Sequence, residues 1–377
     1  MRCIKFGCHK KTEKKLNKKI KTLMLVSALA PAMAMAQTPP AGSSITLYGK
    51  LDLAVDTVRF SSSPTKAAQT ARYLSSDTSF WGLTGSENLG NGLRAYFKLE
   101  SGFSVDTGAN TGGTAKLFDR EAYVALGSQW GAIQLGSQYS PSLFVQVKSD
   151  PSGRHGNGNG TTLTQQSPGN LQGNVGAVTL DNAIQYISPN ISGVSARLLY
   201  SLSEKSVAPK DLGEFSAVSV DYVKGPLFVG VAYENQAIAS VTPVGLTRPN
   251  ITLSAGATYD FSVVKVYGYL MKNRLAPNDA NTELLGLTYP FGASMIRTSY
   301  AQRKTDNVDG SKARILMLGY DYNLSKRTLL YTSFARLING TATNFNIWPS
   351  SKTYAATGLP GAGQDINSLE LGIRHTF

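Results

Sequence analysis

The chain has 377 residues, of which 42% are hydrophobic, and a formal net charge of +13. That charge would suggest an anionic partner such as nucleic acid, but nine basic residues and only one acidic residue fall within the first 36 positions. The remaining 341 residues carry +5 and no cysteine, which argues against a nucleic-acid partner, disulfides and cysteine metal sites.

Residues 1–36 have the three parts of a secretory signal peptide. A basic stretch ending at Lys21 precedes a short apolar run, Leu23 to Met35, and Ala34-Met35-Ala36 supplies small residues before a cleavage site. The apolar run is too short to span a bilayer as a helix. We therefore expect cleavage after Ala36, with residues 37–377 as the exported domain.

Beyond residue 36, apolar and polar residues alternate along many short segments. In the first of these, residues 45–56, Leu51 and Leu53 share one face of a strand, and Lys50 and Asp52 share the other. One face suits lipid and the other suits water, which is the pattern of transmembrane β-barrel strands. The pattern recurs at 93–100, 132–138 and 316–322.

The segments that connect these strands come in two lengths. Seven are short turns, at 87–91, 128–131, 189–193, 224–226, 260–263, 290–294 and 324–327. Eight are longer polar loops, at 57–78, 105–117, 139–182, 204–213, 238–249, 275–279, 305–311 and 338–365. Short turns on one side and long loops on the other are typical of outer-membrane barrels, and they predict sixteen strands here. Fourteen or eighteen strands stay open, because the segments near 72–86 and 280–290 alternate weakly.

The last segment, Leu369 to Phe377, also alternates, with Leu371 and Ile373 on one face and Glu370 and Arg374 on the other. Lipid offers no hydrogen-bond partners, so every strand edge in a membrane must be paired. We therefore predict an all-β, closed antiparallel transmembrane barrel whose last strand pairs with the first, at residues 45–55.

Several stretches resemble the trimeric general porins of beta-proteobacteria, the Neisseria and Burkholderia type. They are ITLYG at 45–49, GSENLGNGL at 85–93, DREAYVAL at 119–126, NAIQYISPN at 182–190, YDYNLSKRT at 320–328 and LGIRHTF at 371–377. Together they cover nearly all of the exported part. The resemblance implies a sixteen-stranded homotrimer in the outer membrane of a Gram-negative bacterium, crossed by small hydrophilic solutes and ions through passive diffusion.

The resemblance also makes two specific statements about parts of the chain. The third loop, residues 139–182, is expected to fold into the lumen and narrow it. The terminal Phe377 is expected to be read by the outer-membrane assembly machinery.

Charged residues at a constriction bias which ions pass. We expect a basic wall opposite an acidic residue of the third loop, formed by Lys50, Arg94, Lys98 and Arg120 on the wall and Asp150 on the loop. Each of these could instead be a solvated charge at a barrel mouth. The charge of +5 favours a mild anion preference, although family members often carry Arg or Lys where this chain has Phe80, Thr84, Ser137 and Thr179.

Other functions have less support in the sequence. Only His155 and His375 remain after residue 36, and neither has the setting of a nucleophile–histidine–acid triad or a metal site, so we expect no enzyme, cofactor or metal. Tyr48 and Tyr96 have the parity of the lumen, which keeps a substrate-specific channel open as an alternative. A structural or adhesive barrel is the other alternative, and liposome swelling with small sugars would distinguish it from an open channel.

Overall fold

Antiparallel strand segments joined in one sheet make up most of this computed structural model, which describes residues 43–111, 115–166, 178–240, 243, 245–347 and 360–377. The expected signal peptide, residues 1–36, lies outside the described residues. Among the described residues, the chain has no helix that is both long and apolar enough to cross a membrane.

The strand segments follow the alternating pattern of the sequence in chain order. They are β1 (Ser44–Phe60), β2 (Gln69–Ser76), β3 (Phe80–Gly90), β4 (Leu93–Gly102), β5 (Glu121–Ser128), β6 (Gly131–Tyr139), β7 (Thr179–Ile187), β8 (Val194–Ser201), β9 (Phe215–Lys224), β10 (Leu227–Ala239), β11 (Thr247–Asp260), β12 (Lys265–Arg274), β13 (Ala280–Phe291), β14 (Ser294–Thr305), β15 (Ala313–Asn323), β16 (Thr328–Ile338) and β17 (Ile366–Thr376). Two helices, α1 (Pro141–Lys148) and α2 (Thr161–Thr164), lie between β6 and β7.

The second strand of the barrel is interrupted. β2 pairs with the later half of β1, β3 pairs with its earlier half, and residues 77–79 lie between them. The interruption is held to β1, because the Asp77 amide donates to the Asp52 carbonyl at 3.1 Å and Ser79 Oγ accepts from the Asp52 amide at 2.9 Å. Counted as one strand, β2 and β3 bring the barrel to sixteen, the number predicted from the turns.

The barrel closes where β17 pairs with both β16 and β1. The predicted pairing of last and first strands is confirmed, but its register differs, because Lys50 faces Thr376 and Phe60 faces Ile366. Residues 44–50 pair instead with β3. The offset follows from the tilt of barrel strands, which staggers each strand relative to the next until the sheet closes.

Burial alternates along the strands in the way that the sequence predicts. On β15, Ile315 and Met317 face inward and are at most 1% exposed, whereas Leu316 and Leu318 face outward and are about half exposed. Because the backbone is fully paired around the barrel, this outer apolar surface can meet lipid without leaving unsatisfied polar groups. The seven predicted turns and eight predicted loops fall between strands of the barrel, but the loop predicted at 57–78 was too long, because β1 continues to Phe60 and residues 69–76 form β2 in pairing with it.

Candidate functional site

The third loop begins with helix α1, which lies against the inner face of β8 to β11. Ser140 caps the helix, and the inward-facing Glu234 of β10 accepts hydrogen bonds from Ser140 Oγ and, at 3.3 Å, from the Ser142 amide. A carboxylate at a helix N-terminus stabilises the partial positive charge there. The wall makes room for the helix at Gly256, where a Cβ would lie 2.0 Å from Ser149 Oγ.

The tip of the same loop binds the wall on the other side, at β1 and β17. The Gly156 amide donates to Asp77 Oδ2 at 2.7 Å, and the Asn157 amide donates to Glu370 Oε2 at 2.7 Å. Asn157 Nδ2 donates to Asp56 Oδ1 at 2.6 Å and to Ser368 Oγ at 2.7 Å. Inward-facing carboxylates of the wall thus hold the loop tip through charge-assisted hydrogen bonds.

Asp150, the predicted acidic residue of the loop, is 3% exposed and lies inside the loop. Its carboxylate accepts from the Ser152 amide at 2.8 Å and from the Gly160 amide at 2.7 Å, which joins two ends of one bend. Burial raises the pKa of the Asp150 carboxyl, although these hydrogen bonds oppose the rise. The structure therefore places Asp150 as a brace within the loop, with no ion pair to any of the four predicted wall residues.

Lys50 lies at the junction between the loop and the wall, with a side chain only 6% exposed. Its Nζ donates to Thr78 Oγ1 at 2.6 Å and lies 3.1 Å from His155 Nδ1. Thr78 sits in the interruption of the second strand with φ of 48°, a value that β-branched residues rarely adopt. The interruption thus turns a hydroxyl toward Lys50 and the loop.

An ionic network surrounds this junction. Ligand atoms of Asp52, Asp77 and His155 lie within 4.8 Å of one another, which is a spacing that could suit a metal ion. Arg374 Nε donates to Asp52 Oδ2 at 2.6 Å, and Lys50 Nζ lies 3.9 Å from the same oxygen. Lys50 and Arg374 therefore already neutralise Asp52, which favours an ionic network over a metal site. Burial, and then the charge of Lys50, lower the pKa of His155 well below its usual value.

Lys98 and Arg120 lie together on the wall, each with a side chain 26% exposed. Lys98 pairs with Glu121 and, at 3.3 Å, with Glu100, and Arg120 Nε lies 2.6 Å from Glu100 Oε1. The Arg120 guanidinium also lies 4.6 Å from the centre of the Phe80 ring. These two predicted residues are therefore adjacent, partly open to solvent and partly neutralised.

Arg94, the remaining predicted wall residue, lies apart from this group. It is the second residue of β4, beside the first short turn, where it pairs with Gly127 and its guanidinium lies 4.8 Å from the centre of the Tyr96 ring. The structure thus places Arg94 near the turn end of the barrel, while Lys50, Lys98 and Arg120 lie near the loop.

Arg154 belongs to the site but was missed in the sequence. It lies on the third loop at φ of 69°, and its guanidinium donates to Gln165 Oε1 at 3.0 Å. It forms no ion pair with any residue that the structure describes, unlike Lys50, Lys98 and Arg120. Burial lowers the pKa of Arg154 and the neighbouring Arg120 lowers it further, whereas Tyr139, Asp77 and Asp150 raise it. The glycines on either side of Arg154-His155 were the signal that could have pointed to this bend.

The two tyrosines of the predicted lumen face are both tied into the wall. Tyr48 donates to Glu100 Oε2 at 2.8 Å, and the Tyr96 hydroxyl accepts from Gln134 Nε2 at 3.1 Å. These contacts are a structural reason for both residues, independent of any sugar.

Comparisons with known proteins agree with this architecture. A family model described as Gram-negative porin matches residues 22–342. Outer membrane porin protein 32 of Delftia acidovorans is 32% identical over 370 residues, which cover 95% of this chain and 99% of the relative. An outer membrane porin protein of Bordetella pertussis is 29% identical over 419 aligned positions, with 95% and 100% coverage. The solved structure of an anion-selective porin from Comamonas acidovorans superimposes with a TM-score of 0.75 at 29% identity, covering 89% of this chain and 100% of that one.

Proposed function

The chain belongs to the Gram-negative porin family, and from this premise we propose that its third loop crosses the lumen and forms the narrowest part of the channel. As an outer-membrane porin, the protein is a channel for the passive diffusion of small hydrophilic solutes and ions. One observation carries the proposal: α1 lies against β8 to β11, while the tip of the same loop binds β1 and β17. A segment attached to both of these walls narrows the space between them.

The narrow opening lies beside the part of the wall that the loop leaves uncovered. Lys98 and Arg120 project there from the wall side, and Arg154 belongs to the loop side. Glu100 and Glu121 neutralise much of the wall charge, whereas Arg154 forms no ion pair among the described residues and is offset only from a distance by Asp77 and Asp150. The local field is therefore positive, and the channel prefers small anions. The anion selectivity of the Comamonas acidovorans porin supports the same proposal.

Replacing Arg120 with Gln tests which residues form the constriction. The substitution removes a partly exposed cation and leaves Glu100 with Lys98 as its remaining basic partner. We expect the anion-to-cation permeability ratio to fall by roughly threefold to tenfold, because one unit charge a few ångströms from an ion contributes about 1 kcal/mol even in water. Reversal potentials of single channels across a potassium chloride gradient measure this ratio.

Arg94→Gln is the matched control, since it removes the same charge from an exposed position beside the first turn. The anion-to-cation permeability ratio of Arg94→Gln should stay close to that of the unmodified protein. Equal shifts in both variants would mean that selectivity arises along the whole barrel, and no shift in Arg120→Gln would remove that residue from the constriction.

We also propose that the protein is a homotrimer assembled by machinery that reads Phe377. Family resemblance supports both points. Phe377 is held in the closed barrel, where its amide donates to the Gly49 carbonyl at 3.1 Å and its ring lies where a Cβ on Gly49 would be. The assembly machinery can recognise Phe377 before the barrel closes. After closure the same residue pairs with Gly49 of the first strand.

Phe377→Ala is expected to lower the amount of protein assembled in the outer membrane while leaving the conductance of each assembled channel unchanged. The ring lies beyond the end of the last strand, seven residues or about 23 Å of extended chain from Glu370, the loop partner nearest to it on that strand. Unheated gel electrophoresis of outer-membrane fractions counts assembled trimers, and bilayer recording measures the channel. His375→Ala, two residues earlier on the same face, is the control and should assemble normally. Normal trimer levels in Phe377→Ala would refute the recognition role.

A further inference from the structure

Two arginines and three aromatic rings form a continuous row inside the barrel. The Arg120 guanidinium lies 4.6 Å from the centre of the Phe80 ring and 5.8 Å from the centre of the Tyr139 ring. The centres of the Tyr139 and Phe144 rings are 6.5 Å apart, in an edge-to-face arrangement. The Arg197 guanidinium lies 4.3 Å from the centre of the Phe144 ring. We call these five residues the arginine–aromatic track.

The arginine–aromatic track leads from the loop end of the barrel toward the turn end. Arg120 directly precedes β5, Tyr139 is the last residue of β6, and Phe144 belongs to α1. Arg197 is the fourth residue of β8, and direct strand pairing from β4 to β8 places it in the same row as Arg94. A solute that passes the constriction at Arg120 can therefore stay in contact with the track as it moves toward the turns.

The three rings of the track are only partly covered, although they lie in the lumen. Phe80, Tyr139 and Phe144 each keep an intermediate exposure. In α1, Phe144 stays partly open while most of its neighbours are buried; the buried residues are Pro141, Ser142, Leu143, Val145 and Gln146. The interior of a porin barrel is polar and filled with water. Apolar rings left open there gain little from burial, which points to contact with solutes as their role.

The two arginines of the track keep donor groups for a passing solute. Arg120 donates through Nε to Glu100, and Arg197 donates through Nη1 to Asp221 Oδ2 at 3.1 Å. The other guanidinium N–H groups of these two arginines form no hydrogen bond within the described part of the chain. Their side chains are 26% and 18% exposed. A guanidinium carries five donors, and its planar edge binds a carboxylate through two parallel hydrogen bonds.

The end of the track at Arg197 keeps a surplus of positive charge. Asp221 Oδ2 lies 3.1 Å from Arg197 Nη1 and 3.0 Å from Lys148 Nζ, so one carboxylate faces two cations. Lys148 has a side chain that is 41% exposed, and its Nζ lies 4.8 Å from the centre of the Phe228 ring. An anion that contacts the open Phe144 ring therefore also meets a net positive charge.

We propose that the channel preferentially takes up aromatic carboxylates, such as benzoate, along the arginine–aromatic track. This inference rests on the anion preference proposed above and specifies the solute. The carboxylate binds the open edge of Arg120 and then of Arg197, and the ring of the solute packs against Tyr139 and Phe144. Aromatic rings attract one another edge to face, and cations bind the faces of rings. Chloride and acetate can use only the guanidinium groups.

The proposal is tested on the full exported protein in planar bilayers, by measuring how added solutes reduce the chloride current through single channels. The probe is benzoate. Acetate is the carboxylate without a ring, and benzamide is the ring without a charge. The test variant is Phe144→Leu, which removes one ring of the track and leaves the net charge unchanged. The matched variant is Phe291→Leu, the same substitution on the outward face of β13.

We expect benzoate to block the chloride current saturably, with half block at a concentration roughly tenfold below that of acetate, because only benzoate adds contacts with rings. Benzamide should give no saturable block. Phe144→Leu should raise the concentration of benzoate for half block by roughly fivefold, with acetate unaffected. Phe291→Leu should match the unmodified protein. If Phe144→Leu fails to assemble, the comparison of benzoate with acetate on the unmodified protein still decides.

Reversal potentials in a potassium chloride gradient separate this proposal from the anion preference on which it rests. A preference for cations in the unmodified protein would overturn both. A preference for anions together with equal block by benzoate and acetate would overturn the aromatic preference alone. Equal benzoate affinity in Phe144→Leu and Phe291→Leu would remove Phe144, and with it the track, as the binding surface.

Discussion

Replacing Asn157 with Leu is expected to release the tip of the third loop and to raise the conductance of the single channel. The side-chain Nδ2 of Asn157 donates to Asp56 Oδ1 at 2.6 Å and to Ser368 Oγ at 2.7 Å, and a leucine side chain can donate to neither. Hydrogen bonds to charged groups contribute about 1.5–3 kcal/mol each, and the buried Asp56 oxygen would lose this partner. The loop would then spend much of its time away from the wall, so we expect larger and more variable conductance in bilayer recordings.

Asn190→Leu is the control for this substitution. Asn190 lies in the turn between β7 and β8, where its side chain accepts from the Gly193 amide at 3.0 Å and contacts no part of the third loop that the structure describes. Its conductance should match that of the unmodified channel. Steady, unchanged conductance in Asn157→Leu would show that the remaining contacts hold the tip, above all the bond from the Asn157 amide to Glu370.

Arg154→Glu is expected to turn the proposed anion preference into a cation preference. Arg154 forms no ion pair in the part of the chain that the structure describes, so Asp77 and Asp150 offset its charge only from a distance, and we expect part of that charge to act on ions beside the loop. Reversal changes the local charge by two units, and each unit contributes about 1 kcal/mol at 4 Å in water. The permeability ratio should therefore change by roughly 30-fold. The effect should shrink as ionic strength rises, because the screening length falls to about 10 Å at 0.1 M salt.

The same reversal at Arg94 gives the comparison. Arg94→Glu changes the charge equally but beside the first turn, where the chain approaches the other mouth of the barrel. The anion-to-cation permeability ratio of Arg94→Glu should change by much less than that of Arg154→Glu. A ratio that stays above one for anions in Arg154→Glu would refute the placement of Arg154 at the constriction.

Part of the site could be predicted because strand parity is a local property. Lys50 and Lys98 were chosen by parity and Arg120 by its place at a strand start; Lys50 contacts His155 of the loop, and the other two share Glu100 on the wall. Parity says nothing about height along the barrel, however, so Arg94 satisfied the same rule and lies near the turns. The two residues of the third loop show the limit most clearly. Asp150 was chosen for its charge and is buried as a brace, while Arg154 was passed over and forms no ion pair among the described residues.

By itself, the sequence determined the closed barrel and the face that each side chain takes, and it favoured sixteen strands over fourteen or eighteen. These features follow from a two-residue period and from the need to pair every backbone group in lipid, both of which are readable along the chain. Only the tertiary structure decided which wall residues the tip of the third loop contacts and where the second strand is interrupted, at 77–79. Each depends on contacts between residues that are far apart in sequence, such as Asn157 with Asp56 and Glu370. The geometry of barrel closure sets those contacts, and no local pattern encodes it.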